Sequence, residues 1–111
     1  MNQPEPAYHL FLEPDEIPVT ASALRLLISD EAHEPEIRRL AREVLASLQD
    51  APGELGVLSV PLSPAQMKIT HAAVRLRLND LQREQASERE ILRAILDKLP
   101  DEHAIRAIEL N

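Results

Sequence analysis

Apolar residues along this chain recur with two periods. In two stretches they fall three and four apart: Ile37, Leu40, Ala41, Val44, Leu45 and Leu48, then Ile91, Leu92, Ile95, Leu96 and Leu99. That spacing lines up one face of an α-helix, so each stretch predicts an amphipathic helix. A third stripe, Met67, Val74, Leu78 and Leu81, predicts another helix with those residues inward. Elsewhere apolar and polar residues alternate: His9-Leu10-Phe11-Leu12-Glu13, Ser59-Val60-Pro61-Leu62-Ser63 and Ala107-Ile108-Glu109-Leu110-Asn111. Alternation is the period of a half-buried strand. It predicts short strands at 8–13, 57–62 and 105–110. Pro61 cannot donate to a ladder and suits an edge. The last segment also reads as a helix, because Ile105 and Ile108 are three apart and Asp101 follows Pro100 as a possible N-cap.

Capping residues sharpen the helix starts. Ser63 can accept from free N–H groups of the first turn, Pro64 suits the first helical position, and Gln66 completes a capping-box spacing. Pro14 marks the equivalent place in the first half, but Pro18 removes the N–H that would bond the Pro14 carbonyl. The first helix is therefore expected to start at Pro14 or at Pro18. Glu34-Pro35-Glu36 and Ser87-Glu88-Arg89-Glu90 put acids at the positive ends of the second and fourth helices.

The two halves align. At a shift of 50, residues 8–30 match 58–80 through Leu12/Leu62, Pro14/Pro64, Thr20/Thr70, Ala23/Ala73, Arg25/Arg75, Leu26/Leu76 and Asp30/Asp80. At a shift of 51, residues 39–50 match 90–101 through Arg42/Arg93, Leu45/Leu96, Leu48/Leu99 and Asp50/Asp101. The expected fold is mainly α (α+β). Two tandem β-α-α repeats, 8–50 and 58–101, form a pseudo-twofold four-helix core with a small sheet of short strands. Residues 50–56 hold both glycines and form the linker. Residues 1–7 are expected to be a flexible N-terminus, and 8–111 one domain whose last segment is 102–111. Neither repeat is a sufficient core alone.

Composition narrows the class. Of 111 residues 44% are hydrophobic but only 2% aromatic, with two Gly and no Cys. Leu and Ala favour helices, and so few glycines leave little scope for tight hairpins. Without Cys there is no disulfide scaffold, zinc ribbon or Cys nucleophile. No apolar run approaches a membrane span, and the start MNQPEP lacks the pattern of a signal peptide, so a cytoplasmic protein with no membrane association is expected. The formal charge of −7 lies wholly in residues 1–56; residues 57–111 are balanced. Nucleic acid is a poor partner at that charge, since phosphate contacts need a basic patch.

Recognisable chemistry is sparse. His9, His33, His71 and His103 form no HExxH and no i, i+4 pair, so no metal site or cofactor is expected. Asp15, Glu16, Asp30 and Glu31 fall at helix ends, where dipole or capping roles are ordinary. There is no GxSxG elbow and no phosphate-binding glycine motif. The expectation is a small non-enzymatic interaction or regulatory module, acting on a protein partner and as a homodimer through free strand edges. Arg77, Arg83, Arg89 and Arg93 are its candidate interaction surface. The alternatives are a small hydrolase using His71 or His103 with a carboxylate, and an acidic nucleic-acid-associated regulator acting through Arg83, Arg89 and Arg93.

Overall fold

A computed structural model describes residues 8–30, 33–49, 56–81, 85–100, 104–105 and 107. The chain runs β1 (Tyr8–Leu12), α1 (Glu16–Ser29), α2 (Pro35–Gln49), β2 (Leu58–Leu62), α3 (Pro64–Asp80) and α4 (Ala86–Lys98). It is mainly helical with a small two-stranded antiparallel sheet. The two strands pair from Tyr8↔Leu62 to Leu12↔Leu58, with Leu10 opposite Val60 at the centre. Both alternate alike: residues 10, 12, 60 and 62 are buried, whereas 9, 11, 59 and 61 are exposed. The even-numbered side chains seal the sheet onto the helices, as the two-residue period requires.

The core draws on every element. Leu10, Leu12, Val60 and Leu62 from the ribbon meet Ala23, Leu24 and Leu27 of α1, Leu40, Val44 and Leu48 of α2, Ile69, Ala73 and Val74 of α3, and Leu92 and Ile95 of α4. Leu99, just beyond α4, closes it. Of the two expected helix stripes, Leu40, Ala41, Val44, Leu48, Leu92, Ile95 and Leu99 are buried, and Ile37, Leu45, Ile91 and Leu96 pack against the cluster half-buried. Two buried hydroxyls are satisfied locally: Thr20 donates to the Glu16 carbonyl and Thr70 to the Gln66 carbonyl, each at 2.8 Å. Such back-bonding removes the cost of an unpaired buried hydroxyl. Contacts cross between the halves in both directions, α2 touching β2 and α4 touching β1.

Four expectations need correction. The first helix begins at Glu16, between the two prolines. Pro18 then lies in the first turn, where the N–H it lacks has no intrahelical partner anyway. The inward face of α3 is Ile69, Thr70, Ala73 and Val74; Met67 and Leu78 are only half-buried. Val74 and Leu81 of the expected stripe are buried, and Met67 and Leu78 pack at the margin of the core, because α3 is contacted by α1, α2, α4 and β2 and so buries more than one stripe. Strand β2 starts at Leu58 and β1 ends at Leu12, one residue inside each expected bound. In the segment 105–110, Ala104 and Ile105 are helical and Ala107 is in a turn, so its described part is not a strand. Ile105 is buried, which suits the three-residue spacing of Ile105 and Ile108 rather than alternation. The expected flexible segment 1–7 and most of the linker 50–56 and of 102–111 lie outside the described residues.

Candidate interaction surface

The ribbon presents its odd-numbered residues to solvent. Phe11 is the only Phe in the chain, and it is 55% exposed. Val57, two residues before Ser59 and just outside β2, is 54% exposed. By the register, Phe11 lies opposite Ser59 and His9 opposite Pro61. Phe11 and Pro61 therefore share one outward side with His9 and Ser59, and the exposed Val57 precedes the first residue of β2. Every other large hydrophobic among the described residues is at least partly covered. A lone exposed apolar residue is ordinary, but neighbouring ones on a rigid face suit contact with another molecule.

Both outer edges of the ribbon are blunted. Pro61 has no N–H, so the His9–Pro61 pair cannot be a doubly bonded one; the odd-numbered backbone groups point outward, away from the ladder. On the β1 edge the Phe11 carbonyl accepts from Lys98 Nζ at 3.1 Å. Lys98 also pairs with Glu16, and the Tyr8 hydroxyl donates to the Lys98 carbonyl. The Glu16 carboxylate is nearly fully buried and accepts in addition from the Glu13 N–H at 2.7 Å. The end of α4 is thereby fastened to β1 and to the start of α1. A similar tie joins the other halves, where Gln66 accepts from the Ser63 N–H at 3.0 Å and donates to Glu43 of α2 at 3.2 Å.

The candidate arginines separate. Arg77 holds Glu88 by two contacts, Nε at 2.7 Å and Nη2 at 3.2 Å, and reaches Asp80 at 3.9 Å. The Glu88 hydrogen bond raises the Arg77 pKa further above its ordinary value. Arg89 donates to the Leu81 carbonyl at 3.4 Å. Arg93 is exposed on α4, and Arg83 lies outside the described residues. Arg77 and Arg89 thus brace the α3–α4 connection.

The histidines and carboxylates are scattered. His9 Nδ1 lies 3.4 Å from Ser59 Oγ, but both are exposed, and water competes for a contact that an activated nucleophile needs shielded. His33 Nε2 is 3.5 Å from Asp30 at the end of α1. His71 is buried on α3; His103 and Glu31 lie outside the described residues. Glu16 is committed to Lys98 and the Glu13 N–H, whereas Asp15 is exposed and makes no capping bond. Among the described residues no group of three or more His, Asp or Glu is placed to hold a metal ion, and no helix is long and apolar enough to cross a membrane. Comparison with protein-family models, curated proteins and solved structures returned no match for this chain.

Charge clusters drew sequence reasoning to the arginines and away from Phe11 and Val57. The signal for Phe11 was present: it is the chain's one Phe, and it occupies the outward phase of an alternating segment.

Proposed function

We propose that this chain is a small non-enzymatic protein-interaction module that binds through the solvent face of its two-stranded ribbon. The observation that carries the reading is the exposure of Phe11 beside Val57 and Pro61, where every other large apolar side chain among the described residues is at least partly covered. A cytoplasmic location, with no membrane association, is part of the proposal.

We further propose that the chain arose by duplication, as two β-α-α units around a pseudo-twofold axis. Support comes from positions 50 apart that do the same job. Leu10 and Val60 face each other, Thr20 and Thr70 bond the carbonyl four residues back, and Glu16 and Gln66 accept the N–H of Glu13 and Ser63. The crossed contacts of α2 with β2 and α4 with β1 fit the same arrangement.

Homodimerisation by edge pairing loses its physical motive, because Pro61 and the Lys98–Phe11 contact blunt the edges. Light scattering at tens of micromolar is expected to report a monomer. The reading is tested by purifying the native chain with whatever accompanies it and identifying the companions by mass spectrometry. A protein partner in stoichiometric amount supports it. A tightly held small molecule that the chain turns over would replace it with an enzyme.

A further inference from the structure

We propose that the outward face of the ribbon docks a cationic, amphipathic segment of a partner protein. The inference rests on the interaction-module reading and adds the chemistry of the partner. Its apolar half follows from Phe11, Val57 and Pro61. The face is only about 17 Å long and two strands wide, from the rise per residue and strand spacing. One short helix or extended segment fits such a strip. A second copy of this whole chain would bury far less there than the roughly 800 Å² per partner of a stable interface.

The cationic half follows from charge. Glu13 continues the outward alternation two residues beyond Phe11, and Asp15 follows it; both are exposed and make no ion pair among the described residues. Lys98, whose ammonium donates to the Phe11 carbonyl, is held by Glu16. The β1 side of this face belongs to residues 1–56, which carry the formal charge of −7, whereas its β2 side belongs to the balanced half. A basic segment meets both the apolar strip and the unpaired carboxylates, and its approach is steered by the field of the acidic half. Duplex DNA is the competing occupant by shape, because a major groove admits a two-stranded ribbon. Glu13 and Asp15 would repel its phosphates, and Lys98, already held by Glu16, would not offset them.

The test uses the full chain, labelled with ¹⁵N, and three probes: a 14-residue amphipathic Leu/Lys peptide, its Leu/Glu counterpart and a 16-base-pair duplex. The Leu/Lys peptide is expected to shift amide signals of residues 9–13 and 57–61 preferentially. Phe11→Ser should weaken that binding at least tenfold with the fold intact by circular dichroism. Glu13→Lys should weaken it several-fold in low salt and little in high salt. Shifts confined to other elements, equal binding of the Leu/Glu peptide, or indifference to Phe11→Ser would overturn the proposal. A partner that co-purifies but is unaffected by Phe11→Ser would remove this face from both proposals and leave only a protein-interaction role through another surface. Duplex binding at residues 9–13 that weakens steeply with salt would remove both.

Discussion

Lys98 and Glu16 stand 82 residues apart in sequence, yet the ammonium of one donates to the nearly buried carboxylate of the other. The pair joins the last residue of α4 to the first of α1, and the second Glu16 contact, from the Glu13 N–H, fixes the turn out of β1. Removing one member of a buried pair leaves the other desolvated and unpaired. Lys98 is one third exposed, which discounts the effect. Lys98→Met is expected to cost about 1–3 kcal/mol in urea denaturation. Glu16→Gln, which keeps an acceptor for the Glu13 N–H, should cost less. Combining the two should cost less than their sum; strict additivity would show that the pair is not coupled.

The core makes a sharper demand. Leu24, Val44 and Ile95 are almost wholly inaccessible and lie in one cluster. Leu24→Ala should lose about 2–5 kcal/mol, the transfer term plus the cavity it leaves. Val44→Asp and Ile95→Asp should each prevent folding at 25 °C, because an unpaired charge there has no partner. A cooperative melt for either would show that the cluster tolerates water.

At the start of α3, Ser63 Oγ accepts the Gln66 N–H at 3.1 Å while Gln66 returns the bond to the Ser63 N–H. Ser63→Ala should therefore cost about 1 kcal/mol. Pro18 offers the contrast. It sits where no intrahelical hydrogen bond is lost, so Pro18→Ala should change stability by less than about 1 kcal/mol, and downward, through greater freedom of the unfolded chain. Thermal melts of both variants beside the parent would check the pair.

Arg77 and Glu88 are each about one quarter exposed and connect α3 to α4. A double-mutant cycle with Arg77→Met and Glu88→Gln should give a coupling of about 0.5–1 kcal/mol, the range of a partly solvated pair. Arg77→Lys should recover only part of it, because an ammonium cannot reproduce the two-pronged contact. A coupling near zero would free Arg77 for a role at the surface.

Glu36 titrates below the usual carboxylate value because Arg39 hydrogen-bonds to it. A lowered folded-state pKa stabilises the protein above the unfolded pKa, and the contribution disappears as pH falls through the folded value. Arg39 also pairs with Glu43, so Arg39→Gln should move the Glu36 midpoint upward in an NMR titration. An unchanged midpoint would mean that the exposed pair is not populated in solution.

Much of this architecture is written locally. Caps, prolines and stripes are near-neighbour properties, so Ser63, Pro64 and Gln66 located α3, Pro35 located α2, and the stripes from Ile37 to Leu48 and from Ile91 to Leu99 named faces on which Ile37, Leu45, Ile91 and Leu96 are half-buried and the rest buried. Alternation likewise placed β1 and β2 to within a residue. The start of α1 was ambiguous because a proline in the first turn and one before it look equally permissive from sequence.

What tertiary structure decided was pairing at a distance. Four elements, α1, α2, α4 and β2, contact α3, so Ile69 and Ala73 are buried more deeply than Met67 and Leu78, which pack at the core's margin. The segment at 105 yields a buried helical Ile105 because tertiary packing, not the ambiguous alternation, selects among the conformations open to a short apolar run. Charge patterning singled out the arginines, and the fold gave Arg77 the Glu88 carboxylate and Arg89 the Leu81 carbonyl as partners. It left Phe11 in the open. Composition and periodicity determined which residues prefer helix, strand or core. Only the fold assigned each charge its partner and each apolar side chain its cover, because those assignments depend on which distant residues arrive at the same place.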